Sequence, residues 1–423
     1  MTQCSFIHLA DVHLDSPLAH LRRLDAATAE RLQSASRRSL QNVANLAIEH
    51  QVAAVVIAGD LFDSPVKDVG AGLWVDGLFK RLTREGIAVI LIRGNHDSLS
   101  NARKVIRWSD GVHELPAEKP ASVALEQHGL VFHGQSFGAR SETADLAANY
   151  PAPRDGFFNV GLLHTSLAGS AQHDTYAPTS IGLLESKGYG YWGLGHIHVR
   201  SLESQSQQCY IGYSGNTQGR HIREPGAKGC QLVQVVDGQL ASVQFMPTDS
   251  LRWHELSIGI DDLDYLGDIE DLVATHAVQL SDAAEGRAMA VRVRLQGASK
   301  LHADLTRAGA IDKLAEVLGA RLADIGEIWL EAIRVSSRPA RASVSADLDL
   351  PLKYISQVAG ELREEGPDRE EVSQVLEELL RKSRVELAEV GWPLVSEQEQ
   401  ASELNRLLGM AEDLLVARLV ADE

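Results

Sequence analysis

Apolar positions in the first half of the chain fall into two alternating patterns. Ser5–Ala10 (SFIHLA) reads as a strand, and Val52–Ala58 (VAAVVIA) and Ile87–Ile92 (IAVILI) are unbroken runs expected of strands buried on both faces. Between them, Arg31–His50 places Leu32, Leu40, Val43, Leu46 and Ala47 at three- and four-residue spacing, and Leu73–Arg84 is amphipathic in the same way. This strand–helix rhythm implies parallel strands in a layered packing. Beyond residue 120 the predicted strands dominate: Leu130–His133, Asn159–His164, Tyr191–Leu194, Cys209–Tyr213, Gln231–Val236 and Ala241–Met246, with Gly, Pro and Asp between them. Residues 1–250 are therefore expected to form one α/β unit.

Residues 251–338 predict a smaller α+β unit. Alternating Met289–Leu295 and Ile328–Val335 bracket a helical Ile311–Leu322, and Ser336–Pro339 reads as a linker. Residues 339–423 read as helical. Val372, Val375, Leu376, Leu379 and Leu380 form one stripe, Leu404, Leu407, Leu408, Leu414 and Leu415 another, with a break at Gly391-Trp392-Pro393. Such stripes either pack on each other or dock a partner's helices.

Composition narrows the class. The chain has 423 residues, 44% apolar and 23% charged, as expected of a globular protein of two to four domains. The longest apolar run is far short of the ~20 residues that span a bilayer, so no membrane association is expected. The N-terminus has neither a basic segment nor a long apolar one, so no signal peptide is expected. Three cysteines without CxxC spacing (Cys4, Cys209, Cys230) suit a reducing cytoplasm. The net charge of −18 disfavours nucleic acid on average. Residues 361–423, however, hold 17 acidic and 7 basic residues, a net of −10, leaving only −8 on the rest.

Five short segments carry the candidate chemistry, each just after an apolar run: Asp11-Val12-His13, Gly59-Asp60, Gly94-Asn95-His96-Asp97, His164, and Gly195-His196-Ile197-His198. Strand ends converge on one face of layered α/β folds, so these residues can meet. Aspartate, histidine and asparagine without sulfur suit manganese, iron or zinc. In an extended DxH or HxH, residues i and i+2 point the same way and can serve one centre. Gly59, Gly94 and Gly195 let the backbone turn and come close. Each segment alone is a weak signal, and the ordered set is a strong one.

That set, DxH…GD…GNHD…H…GHxH, closely resembles the calcineurin-like metallophosphoesterases over roughly residues 5–220. FIHLADVHLDSPL, VIAGDLFDSP and RGNHDS are most similar to the SbcD-like DNA repair exonucleases, and Tyr213–His221 to their YhaO-type branch, with Ser214 at a position usually held by Pro. The resemblance implies a layered αββα sandwich, a small capping domain that guides DNA and a helical C-terminal partner-binding region. It implies two divalent metal ions, Mn²⁺ foremost. Asp11, His13 and His198 would hold one, Asn95, His164 and His196 the other, and Asp60 would bridge them. His96 would be the catalytic histidine, oriented by Asp97. Some relatives carry a second catalytic histidine three positions after the bridging Asp; here that position is Asp63, which reads as a turn residue or an unassigned acid.

Further implied are a DNA substrate, homodimerisation and an SbcC-like coiled-coil ATPase partner. Arg220, His221 and Arg223 form a basic cluster that either contacts phosphate or is a solvated loop. Arg22, Arg23, Arg37, Arg38, Arg103, Lys104 and Arg107 either line a DNA track or are solvated, while His8 and His133 read as structural. The implied activity is a two-metal DNA nuclease, an exonuclease on duplex ends with possible endonuclease action on single strands. A small-molecule phosphodiesterase or phosphatase is the alternative, because the five-segment signature is shared. A non-catalytic adaptor would have lost ligand positions, and none is lost.

Overall fold

The computed structural model of the chain describes residues 3–16, 34–63, 69–99, 107–167, 176–206, 209–340, 349–364, 366–382, 404–412 and 415. Arg22, Arg23, Arg103, Lys104, Leu414 and the Gly391-Trp392-Pro393 break lie outside what is described there. Among the described residues no helix is long and apolar enough to cross a membrane.

Four strands form the parallel core of the first sheet: β1 (Gln3–Leu9), β2 (Ala54–Ala58), β3 (Ala88–Ile92) and β4 (Val112–Glu114). The second sheet begins with β5 (Ala121–Leu125), β6 (Leu130–Gly134), β7 (Phe158–His164) and β8 (Tyr191–Gly195), of which β6, β7 and β8 are parallel. It closes with β9 (Ser201–Gln205) and β10 (Tyr210–Tyr213), β10 lying between β8 and β9. The chain then returns to the first sheet through β11 (Gly229–Val236), antiparallel to β1, and β12 (Gln239–Pro247) beyond it.

Burial explains the unbroken apolar runs. Along β1, Phe6 turns into a core shared by the two sheets, with Val56, Ile90, Phe132, Val160 and Tyr191. Its ring meets Phe132 and Tyr191 edge-on at 5.5 and 5.4 Å. Ile7 and Leu9 face the other way, into a cluster with α1 (Ala35–Glu49) and α2 (Val69–Arg84). Those helices contribute Leu40, Val43 and Ala47, and Val75, Phe79 and Leu82. Each of the leucine, valine and phenylalanine side chains, fully buried, contributes about 1.5–3 kcal/mol. The outer face of the second sheet buries Trp192, Leu194 and Ile211 against Leu184 of α3 (Ile181–Ser186) and Tyr150. The helix–sheet–sheet–helix layering anticipated from the sequence is the observed arrangement.

A third sheet contains β13 (Leu251–Gly259), β14 (Ala288–Ser299) and β15 (Ile328–Pro339) in that order. Helix α4 (Leu266–Ala283) follows β13, and α5 (His302–Leu305) and α6 (Ala310–Ile325) follow β14. The sequence reading did not anticipate β13 or α4, and Ser336–Pro339, read as a linker, is the end of β15. Two further helices, α7 (Asp349–Glu361) and α8 (Pro367–Lys382), precede a helical stretch at 404–412. By contacts the chain divides into two compact units. The first takes residues 1–255, 280–291 and 326–331, the second 256–279, 292–325 and 332–423.

Within the second unit burial alternates along the strands. Leu256, Ile258, Val293, Leu295 and Ile333 are buried, as are Ile269, Val273 and Ala277 on α4 and Leu314, Leu318 and Leu322 on α6. The intervening positions, on the opposite face, are Ser257, Arg292, Arg294, Gln296, Arg334, Ser336 and Arg338.

Candidate metal centre

The five segments meet at the carboxyl ends of β1, β2, β3, β7 and β8 in the first unit. Past β1, Asp11 N donates to Gly59 O, His13 N to Asp60 O and Leu14 N to Leu61 O, each at 3.0 Å. The segment after β1 thus runs beside the segment after β2. Asp11 and His13 do converge, but not through extended backbone as the DxH spacing suggested. Asp11 (φ 52°), His13 (φ 43°), Asp60 (φ 54°) and His196 (φ 99°) all take positive φ. Left-handed backbone costs a non-glycine residue on the order of 1–3 kcal/mol and persists where the surroundings enforce it, as at functional sites.

The donor atoms crowd together. Asp11, His13 and His198 each bring a ligand atom within 4.8 Å of the others, as do Asp11, Asp60 and His164, and His13, Asp60 and His96. Asp60 Oδ2 lies 3.7 Å from His13 Nε2 and 3.5 Å from His164 Nε2, between the two groups. His164 Nε2 is 2.9 Å from Asn95 Oδ1. The His196 amide donates to both Asp11 oxygens at 3.1 and 3.0 Å, and its ring lies edge-on to His164 with centroids 5.3 Å apart. Among the described residues, the ring of His196 joins no such group of three histidine or carboxylate ligands.

This donor set suits divalent cations. His13 Nε2 and His198 Nε2 face each other at 3.1 Å, and two ring nitrogens that close need a proton or a cation between them. The outward nitrogens are committed elsewhere: His164 Nδ1 donates to Ala58 O at 2.9 Å, and His198 Nδ1 lies 2.7 Å from Glu224 Oε1. That arrangement aims the Nε2 lone pairs inward, as in metal sites. Burial pushes the Asp11 carboxyl well above its usual range, helped by the nearby Asp60, and holds Asp60 at about 6. Burial also holds His13 well below its ordinary value and His164 at about 3. Cations among these groups would stabilise charged carboxylates and neutral imidazoles together.

Two glycines make the close approach possible. A Cβ on Gly94 would lie 2.2 Å from Asp60 Oδ1, and one on Gly59, at φ +96°, would lie 2.4 Å from His164 Nδ1.

His96 stands at the mouth of this cluster, about one-third exposed, with Nδ1 2.9 Å from Asp63 Oδ1. The Asp63 carboxylate raises the His96 pKa above its ordinary value. Burial alone would raise Asp63 too, yet its contacts with His13 and His96 hold it well below the usual carboxylate range. The expected role of Asp97 is thereby corrected. Its Oδ2 accepts from Leu61 N (3.2 Å) and Gly94 N (3.1 Å) and its Oδ1 from Phe62 N (2.8 Å), so Asp97 ties the β2 and β3 loops together. The side chain beside His96 is Asp63, whose signal was its place three positions after Asp60.

A cleft of about 490 Å³ opens over His96, His196 and His198, and Arg140, Tyr176, Arg220, His221 and Arg223 line it. Arg220 Nη2 lies 3.2 Å from Glu224 Oε1, and His221 Nε2 lies 3.6 Å from the same oxygen. Of the basic cluster, Arg223 is the exposed member. Arg140, Tyr176 and Glu224 were not anticipated, since none belongs to a signature segment. A larger hollow of about 610 Å³ lies at the other end of the strands, where β7, β8 and β10 begin, and holds none of this cluster. The two histidines read as structural are so: His8 contacts Tyr191 and Gln231, and His133 contacts Ser122 and Asn159.

Fold and site together define a metallophosphoesterase. Residues 4–200 match the calcineurin-like phosphoesterase family, and residues 253–338 match the middle domain of metallophosphoesterase YhaO. The chain is 31% identical over 385 residues to the uncharacterized metallophosphoesterase YhaO of Bacillus subtilis (strain 168), covering 90% of this chain and 91% of that protein. It therefore belongs to the calcineurin-like metallophosphoesterases and is YhaO-like within them. The DNA double-strand break repair protein Mre11 of Methanopyrus kandleri is more distant, at 23% identity over 277 residues, 59% of this chain and 58% of that one. A dimetal phosphatase from Danio rerio aligns in structure over 58% of this chain and 99% of that chain at 12% identity and a TM-score of 0.34, too low to bear on function.

Proposed function

We propose that the protein is a two-metal DNA nuclease of the SbcD type, acting as an exonuclease on duplex ends, with a role in double-strand-break repair in the cytoplasm. The observation that carries the hydrolytic reading is the meeting of all five signature segments at one set of strand ends. Asp11, His13 and His198 would hold one ion, Asn95, His164 and His196 the other, with Asp60 shared. When bound, two such cations, Mn²⁺ in this reading, supply Lewis acidity that activates a water and offsets charge on the phosphoryl oxygens.

The protein's own groups do the rest. Asp63 holds His96 at the cleft mouth and favours its charged form, so His96 can donate a proton to the leaving sugar oxygen. Arg220, His221 and Arg223 would meet phosphates flanking the scissile one.

Two observations favour a polymeric substrate over a small phosphoester. One is the similarity to Mre11 proteins. The other lies in the second unit, where one face of the third sheet carries Arg292, Arg294, Arg334 and Arg338 on two neighbouring strands. Alternate residues of a strand are ~6.7 Å apart, so this face offers a row of cations suited to a phosphate backbone. Residues 251–338 would then guide DNA. In the helical region, Val372, Val375, Leu376 and Leu379 of α8 line an apolar groove with Leu404, Leu407 and Leu408. An SbcC-like ATPase bound there, and a homodimer, complete this reading; both rest on the family resemblance.

The test uses metal-stripped full-length protein, an end-labelled duplex, a small chromogenic phosphodiester and a Mn²⁺ titration, with His164→Ala alongside. Mn²⁺-dependent degradation lost in His164→Ala is expected. Turnover of the small diester with an intact duplex would favour a small-molecule phosphodiesterase instead.

A further inference from the structure

Glu224 stands outside every signature segment, yet it is buried and faces several polar groups around the site. Its Oε1 lies 2.7 Å from His198 Nδ1 and 3.2 Å from Arg220 Nη2. Its Oε2 accepts from Asn216 Nδ2 and from the Arg220 amide, both at 2.8 Å. The carboxylate is thus fixed from its own loop, and the His198 ring is held against it at the shorter of two contacts to Nδ1, Arg220 Nη2 lying 3.1 Å from the same nitrogen. His164 in the other half of the centre is anchored differently, on the neutral carbonyl of Ala58. A carboxylate behind an imidazole sets its tautomer and strengthens its inward nitrogen as a donor, more than a carbonyl does. His13, the other imidazole of that half, also backs onto a carboxylate, with Asp63 Oδ1 3.5 Å from its Nδ1.

We propose that Glu224 is a positioning residue: it fixes His198 through Nδ1 and makes the Asp11–His13–His198 half the tighter of the two metal positions. This inference rests on the two-metal reading of the centre and is independent of the substrate. It also gives the loop after β10 a purpose. Residues 214–224 bring a carboxylate behind one ligand, and the same carboxylate holds Arg220 over the cleft.

The test is Mn²⁺ binding to metal-free full-length protein, followed by titration calorimetry and by the electron paramagnetic resonance signal of free Mn²⁺. Wild type is expected to bind two ions, one more tightly. Glu224→Ala should weaken the tighter ion by roughly 10–100-fold and leave the other unchanged. His198→Ala should weaken the same ion, and adding Glu224→Ala to it should cost nothing further, because the second change then acts on a missing side chain. Glu224→Gln, which keeps the shape, should lose less, and it serves if Glu224→Ala does not fold. Unchanged affinities in Glu224→Ala, equal weakening of both ions, or losses that add to those of His198→Ala would overturn the proposal. A wild-type protein that binds no Mn²⁺ would instead overturn the metal-centre reading itself.

Discussion

Three side chains carry predictions of their own. His8 sits between the sheets, and burial lowers its pKa to about 4 from 6.5. Its Nδ1 lies 2.9 Å from the Tyr191 hydroxyl, which donates to Gln231. The folded state therefore binds this proton less readily than the unfolded state. The stability linked to His8 is complete above pH ~6.5 and is lost as pH falls toward 4, with roughly 2 kcal/mol gone by pH 5. Urea unfolding at pH 7 and pH 5 should show a smaller acid-side loss in His8→Gln than in wild type; equal losses would refute the assignment. Asp63 and Asp97 should separate cleanly. Asp63→Ala should lower kcat on a chromogenic diester on the order of 10²-fold with little change in the urea midpoint. Asp97→Ala strands the amides of Leu61, Phe62 and Gly94, at a cost on the order of 1–3 kcal/mol for each buried group, so its midpoint should drop sharply.

At the scale of elements, what was legible depended on burial. The central strands β1, β2, β3, β7 and β8 lie inside the sheets and are largely buried, so their sequences are mostly apolar, without a break in β2 and β3. β4, β5 and β9, which the sequence reading missed, all lie at sheet edges, and none of their residues is fully buried. An edge strand is defined largely by the backbone of its one neighbour, which its side chains do not record. The third sheet shows the same dependence in a useful form, because its alternation puts four arginines on one face. Arg334→Glu with Arg338→Glu should weaken binding of a DNA duplex, measured by fluorescence anisotropy in chelator, about tenfold. The slope of log affinity against log salt should become shallower by about 2, while turnover of the small diester stays unchanged. An unaltered affinity and slope would remove this face from the DNA reading.

At the scale of the molecule, the candidate centre belongs wholly to the first compact unit. Ions that bind only the folded state stabilise it by mass action, about 2.7 kcal/mol for each site at a hundred times its Kd. In scanning calorimetry, Mn²⁺ should therefore raise the unfolding temperature of the first unit by several degrees, and chelator should reverse the shift. A transition belonging to the second unit should not move. A metal-dependent shift of every transition would mean that the units unfold together.

The sequence by itself determined the layered α/β fold, because residues buried on both faces must be apolar whatever their neighbours. It also determined which residues could form the centre, because Asp, His and Asn at strand ends are a local and ordered signal. The tertiary structure alone decided how those residues work. The left-handed backbone at Asp11, His13, Asp60 and His196 comes from packing between segments far apart in the chain. The exchange of Asp97 for Asp63 beside His96 depended on which loop amides fell within reach of which carboxylate. Glu224 meets His198 across 26 residues, and no spacing rule records such a meeting, because β9, β10 and the loop after them lie between the two and only their packing sets where Glu224 falls.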